Sequence, residues 1–579
     1  MAIIITGTAS DNDLIGGSGN DTLRGQAGND ILRPGTGDDS IDGGVGIDTL
    51  YIGVTNFGAI IQITSNTYTL GSNNGPTDTN TFANIELIEV QTSLDLGPRA
   101  DIVTNGSSIP LLALAREGDD SLTGGSGADS LFGGPGNDTI IGNGGGNLLI
   151  GDDGDDRIIM GPGTNDLADG GDGNDFISGE ASDFHQARPG QGNDTIDSTG
   201  TRIFVDYFSD RANTGVSINI QNNTATDGFG NVDTYINVRD VGGSPYDDLI
   251  IGSSADNYMI GSFGNDTISG LSGNDTLFGE GGVDIVAGGA GDDFMRGGDG
   301  ADNLTGEAGN DFLLGDGGAD TLVGNSGNDT LDGGVGNDLL DAGGGDDFLA
   351  GGAGGDKLNG GGGNDTLQGG EKNDQLNGRA GADVLDGGEG SDTADYVNGR
   401  DAVFVDLSLQ LASGGEAEGD ILFSIENARG SRGDDTLIAT NEGSRLRGAG
   451  GDDLITGGDA GDRLQGDGGD DSLSGGGGDD DLRGGRGNDT LSGGLGNDTL
   501  NGGGGRDVFL IDGLGDDVIN RFQASKDTLD LSVLSFQSVG DVEAATTETA
   551  DGLVIDFGAD GSLLLAGVSS LATIDFVFS

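Results

Sequence analysis

Aspartate returns every nine residues through much of this chain, and that spacing is its strongest chemical feature. Over residues 261–395 a nine-residue frame runs fifteen times without a break, with Asp266, Asp275, Asp284, Asp293, Asp302, Asp311, Asp320, Asp329, Asp338, Asp347, Asp356, Asp365, Asp374, Asp383 and Asp392 at its sixth position. A second run over 430–510 carries Asp435, Asp453, Asp462, Asp471, Asp480, Asp489, Asp498 and Asp507, with Ser444 in the one remaining place. A short run over 16–51 supplies Asp21, Asp30, Asp39 and Asp48. A less regular one over 115–178 supplies Asp120, Asp129, Asp138 and Asp156, with Asn147 replacing one aspartate and an extra residue near Met160 shifting the frame. The chain has no cysteine, and its only histidine is His185, so oxygen is the one ligand type available in quantity. Oxygen donors suit a hard divalent cation such as calcium and disfavour zinc or iron.

The rest of the frame says what must position these carboxylates. Its fourth residue is glycine in every copy of the long run except at Lys372, and its eighth is apolar throughout, from Ile268 through Leu322 to Leu385 and the small Ala394. Nine is neither a helical nor a heptad period, and glycine at this density costs a helix about 1 kcal/mol per residue. A glycine-rich hexad instead permits positive φ and a tight turn, and a triad such as "TLD" is a minimal strand with its middle side chain turned to one face. Two units make an 18-residue coil. The expected fold class is all-β, a parallel β-roll or β-helix solenoid of stacked coils. Stacking places Asp i and Asp i+18 on one edge, where bare carboxylates repel; calcium ions between successive turns would reverse the sign of that interaction. The in-register pairs amount to roughly two dozen candidate calcium sites.

Charge narrows the partners. Asp and Glu number 99 against 24 Lys and Arg, a net charge of -75. Such a polyanion excludes nucleic acid and anionic membrane as natural partners. The opening "MAIIITGTAS" lacks a basic flank and is too short for a secretory signal peptide, and no segment reaches membrane-spanning length. No catalytic residue is assigned: there is no HExxH helix, no GxSxG elbow and no Walker loop. His185, in the loop-like "SDFHQARPGQG", reads as a packing or solvent histidine. No enzyme is expected.

The nonapeptide resembles the calcium-binding GGxGxDxUx repeat of the RTX (repeats-in-toxin) family. That resemblance implies a secreted protein whose β-roll folds on extracellular calcium, exported by the type I secretion machinery. The final "TIDFVFS" is similar to the uncleaved type I signal, with Asp575 before Phe576, Val577 and Phe578, although Ser579 follows. The segment from Arg506 on looks like the closing part of RTX proteases and lipases. The expected organisation is a lead-in over 1–15, repeat blocks over 16–51, 115–200, 242–395 and 430–510, β-rich inserts over 52–114, 201–241 and 396–429, and a cap over 511–579. The inserts look like copies of one another, and their alternating apolar stretches predict wider coils or side hairpins. The expected function is a structural or adhesive cell-surface or matrix protein, with surface polysaccharide or further copies of itself as partners. The alternative is a secreted polymer-active hydrolase or lyase, or a polysaccharide-binding module, with its site on an insert.

Overall fold

A computed structural model describes residues 1–54, 59–64, 67–72, 78–83, 87–92, 102–163, 165–179, 184–209, 212–513 and 515–578. It comprises two compact units, Met1–Gly288 and Gly289–Ser579. Each is a parallel β-solenoid, as the nine-residue frame predicts.

The second unit shows why the frame folds this way. Thr321–Ser326, Leu339–Gly344 and Lys357–Gly362 stack in parallel on one face of the roll, in the register Thr321, Leu339, Lys357. Thr330–Val335, Phe348–Ala353 and Thr366–Glu371 stack likewise on the other. The eighth-position side chains from both faces, Leu322 and Leu340 against Leu331 and Leu349, are fully buried and form the core. At the corner Gly327 has φ 131°, and a β-carbon there would lie 1.7 Å from the carbonyl oxygen of Gly309, one coil away. That approach excludes a side chain in this conformation. Lys372 is the exception and holds φ 76° with one.

The strands are longer than expected in the regular run. The triad extends through three residues of the following hexad, because successive coils turn the corner identically and their backbones keep hydrogen bonding around it. In less regular stretches the triad is the whole strand, as at Thr22–Arg24 and Thr436–Ile438.

The second and third inserts continue the roll as wider coils. In the second, Ser217–Asn219 and Thr224–Thr226 form an antiparallel hairpin, while Val232–Ile236 stacks in parallel on Thr195–Asp197 and Asp240–Gly242 on Arg202–Asp206. In the third, Phe404–Asp406 pairs antiparallel with Leu411–Ser413, while Ile421–Phe423 stacks on Val384–Glu389. The first insert also contains an antiparallel pair, Ala59–Thr64 with Thr67–Ser72, but much of it lies outside the described residues. The expected lead-in already belongs to the roll, since Ile4–Thr6 pairs in parallel with Thr22–Arg24. At the other end Asp575–Val577, within the signal-like tail, is a strand paired with Thr528–Asp530. Among the described residues no helix is long and apolar enough to cross a membrane.

Candidate metal sites

The stacked aspartates use their two carboxylate oxygens differently. Oδ1 joins coil to coil: the N–H of Asp311 donates to Asp329 Oδ1 at 2.8 Å, and the N–H of Asp329 donates to Asp347 Oδ1 at 2.7 Å. The same bond links Asp320 to Asp338, Asp347 to Asp365 and Asp453 to Asp471. Oδ2 of Asp329 is buried without a hydrogen-bond partner, as are those of Asp30, Asp138, Asp156, Asp266, Asp311, Asp320, Asp338, Asp347, Asp356, Asp365, Asp374, Asp383, Asp392, Asp453, Asp471, Asp480, Asp489, Asp498 and Asp507. Asp39, Asp48, Asp120, Asp275, Asp284, Asp293 and Asp302 are buried at the same place in the frame.

Several of these oxygens face another acceptor. A β-carbon built on Gly324 would lie 2.3 Å from Asp329 Oδ2 and 2.6 Å from the carbonyl oxygen of Ala342, so the two oxygens converge beside the glycine with no donor between them. Gly369 sits in the same relation to Asp374 Oδ2 and the Gly387 carbonyl, at 2.4 and 2.6 Å. A buried carboxylate oxygen without a donor is costly, and a second acceptor beside it raises the cost. Carboxylate and carbonyl oxygens together are the donor set that calcium takes, six to eight at a time. Among the described residues no three His, Cys, Asp or Glu side chains gather as a metal cluster. The shell of an ion here would therefore draw on main-chain carbonyls.

Burial governs the protonation of this row. It pushes Asp266 and Asp453 up to about 8, with help from the carboxylates stacked on either side. Asp365, Asp480 and Asp489 are pushed up to about 7, and Asp329 to about 6, for the same two reasons. A proton would thus neutralise the row where no cation does.

A second, exposed ladder runs beside the first and was not read from the sequence. Side chains at the fifth position accept from the coil that follows: the N–H of Asn328 donates to Asn310 Oδ1, that of Asp346 to Asn328 Oδ1, and that of Asn364 to Asp346 Oδ1, at 2.8, 3.0 and 2.7 Å. The fifth position serves the next coil and the sixth the previous one, which explains the paired "ND" and "DD" of the frame.

Some predicted aspartates differ from the others. Asp21 Oδ2 accepts the N–H of Gly17, Asp129 that of Gly125, Asp462 that of Gly458 and Asp435 that of Ser431, all within 2.7 Å. Asn147 and Ser444 keep their places in the row, accepting from Asp129 in the first case and donating to Asp462 in the second. The ladder also includes residues that strict counting passes over. Asp156 donates to Asp175, Asp175 to Asp194, Asp498 to Asp517 and Asp507 to Asp527, across 19, 19, 19 and 20 residues. The signal for three of them was an acidic or amide pair, Asn174–Asp175, Asn193–Asp194 and Asp516–Asp517, hidden by slips of the frame; Asp527 follows Lys526 and lacks it.

His185 is no loop histidine. It lies in the strand Phe184–Gln191, fully buried, with Nδ1 3.3 Å from Asp166 Oδ2, at the sixth-position place of its coil. Burial lowers its pKa.

The family model for the RTX calcium-binding nonapeptide repeat matches the chain in overlapping placements covering residues 6–50, 114–183, 242–394 and 429–509, more than half of its length. No curated protein sequence matches it. Among solved structures, the extracellular lipase LipA from Serratia marcescens aligns at 19% identity with a TM-score of 0.14, covering 41% of this chain and 38% of that one. A likeness of that size carries no argument about activity.

Proposed function

Since the chain belongs to the RTX calcium-binding nonapeptide repeat family, we propose that it is a secreted protein whose roll closes on extracellular calcium and that serves a structural or adhesive role at a cell surface or in a matrix. The observation that carries this reading is the row of buried Oδ2 atoms without donors, several of them, such as those of Asp320, Asp329, Asp356 and Asp374, beside a main-chain carbonyl. Calcium supplies the positive charge that such a row lacks. The residues that would hold it are the sixth-position aspartates, with carbonyls of the first-position residues one coil on.

The chain's own residues then couple export to folding. Two eighth-position side chains per coil are a small core for 18 ordered residues, so the roll depends on neutralising its carboxylates. Where calcium is scarce, the stacked carboxylates repel and the chain stays extended enough to pass the type I exporter. Outside, sites of the extracellular kind fill at about 0.1 to 1 mM and drive folding. The tail suits export: Asp575, Phe576, Val577 and Phe578, followed by Ser579, resemble the type I pattern, and Asp575–Val577 becomes a strand once the roll forms. A structural role accords with a long regular surface bearing two ladders and with the absence of a recognised catalytic motif in the sequence.

Sedimentation velocity of the full chain in chelator and in millimolar calcium tests this. The expected result is a slow, expanded species that compacts on adding calcium. Growth into large assemblies would favour a matrix role over a monomeric binder, whereas an unchanged sedimentation coefficient would overturn calcium-driven folding.

A further inference from the structure

The second and third inserts close their sixth-position carboxylates without a metal. In the second insert Asp233 takes the ladder place, accepting the Asp194 N–H on Oδ1 at 2.9 Å, but its Oδ2 accepts the hydroxyl of Tyr207 at 2.6 Å. Tyr207 spends its only proton there, so Tyr235, whose hydroxyl lies 2.8 Å from that of Tyr207, donates in turn. In the third insert Asp420 accepts the Asp383 N–H on Oδ1 at 2.9 Å and the Tyr396 hydroxyl on Oδ2 at 3.0 Å. All three tyrosines are buried, and the Oδ2 of Asp233 and of Asp420 each accepts a side-chain hydroxyl.

The neighbouring carboxylates are closed too, and identically in both inserts. Asp248 accepts the Val216 N–H and the Ser244 hydroxyl on Oδ1, at 2.6 and 2.8 Å, and the Ser244 N–H on Oδ2 at 2.6 Å. Asp435 accepts the Val403 N–H and the Ser431 hydroxyl on Oδ1, both at 2.8 Å, and the Ser431 N–H on Oδ2 at 2.6 Å. Tyrosine, valine, aspartate, serine and aspartate thus make one constellation, built twice.

We infer that these two inserts are calcium-independent closures of the roll, in which Tyr207 and Tyr396 do for Asp233 and Asp420 what calcium does for the carboxylates of the runs. The inference rests on the calcium-driven folding proposed above. A carboxylate with donors on both oxygens meets its hydrogen-bonding needs within the protein, so nothing at these turns waits for a cation. The antiparallel hairpin of each insert adds side chains to the core that a nonapeptide coil lacks, among them Ile218 and Ala225 in one and Val405 and Ala412 in the other. The inserts are accordingly ordered islands in a chain otherwise awaiting calcium, and they present templates on which neighbouring coils can stack.

Hydrogen exchange by mass spectrometry on the full chain, in chelator and in millimolar calcium, tests this. In chelator, amides of 203–209, 216–251 and 396–438 are expected to exchange about 100-fold more slowly than those of 312–392. If 312–392 opens and the inserts open with it, the inference fails while calcium-driven folding stands. If 312–392 stays as protected in chelator as in calcium, calcium-driven folding fails and takes the inference with it. Tyr396→Phe keeps the ring and removes only the donor. It is expected to abolish chelator-state protection over 396–438 and to leave protection in calcium intact. Unchanged protection in chelator would show that Tyr396 only fills the core, and a loss that calcium does not repair would show that the hydroxyl is needed whether or not calcium is bound; either result overturns the inference, and Tyr207→Phe repeats the test over 203–251.

Discussion

Residues 312–392 and residues 396–438 lie in the same unit and solve one problem in two ways. Both must hold a buried aspartate at every coil corner, and both use Oδ1 to tie that coil to its neighbour. They part at Oδ2. In the run it lacks a donor, at Asp329 and Asp374 with a carbonyl beside it, whereas in the insert a tyrosine hydroxyl or a serine N–H meets it. The difference teaches that the repeat leaves a charge to be supplied from outside, while the insert uses extra chain length to carry its own donor.

Calcium removal should break the comparison most completely. At pH 8 in chelator, circular dichroism is expected to lose the β-signal of the runs and keep a remnant from the inserts, with full recovery in millimolar calcium. Proton uptake comes next. The folded pKa of Asp365 is about 7 and that of Asp329 about 6, both above the ordinary value of 3.8 that the unfolded chain retains. The folded state therefore binds protons more tightly, and its stabilisation is complete below the unfolded pKa and lost as pH rises through 6 to 7. Calcium-free protein should regain β-structure as pH falls from 8 to 5. With calcium present, the same protons compete for the oxygens, so the calcium needed for half-folding should rise over that interval. Asp420 is also raised to about 6, so the insert should respond in the same direction, through fewer groups.

Core truncation tests whether packing differs as the turns do. Leu322→Ala in the run removes a fully buried side chain and should cost about 2 to 5 kcal/mol in the calcium-loaded protein. Val405→Ala in the insert removes less and should cost about half as much, read from denaturant midpoints. The smallest effect concerns Lys372, held at φ 76° where the frame asks for glycine. Lys372→Gly should raise the stability of the calcium-loaded form by about 1 kcal/mol. Without calcium the gain should vanish, because the Lys372 charge eases the ionisation of Asp356 and Asp374.

Much of this was legible because the frame is local. Gly327 is needed at its corner, and Leu322 and Asp329 recur at the spacing that puts one inside and the other on the edge, so parallel coils of 18 residues follow from counting. Asp175, Asp194, Asp517 and Asp527 escaped the count because the coil accommodates an added residue or two without leaving the ladder. His185 escaped for a different reason: nothing near it in the chain announces that its coil stacks on Asp166.

The sequence by itself determined the roll, its core and the rows of carboxylates, since each depends on residues within one nine-residue unit and on the repetition of that unit. Only the tertiary structure decided which carboxylates lack a donor. Tyr207 meets Asp233 across 26 residues and Tyr396 meets Asp420 across 24, so the pairing depends on how a widened coil folds back over the core, a distance in space that no local spacing records.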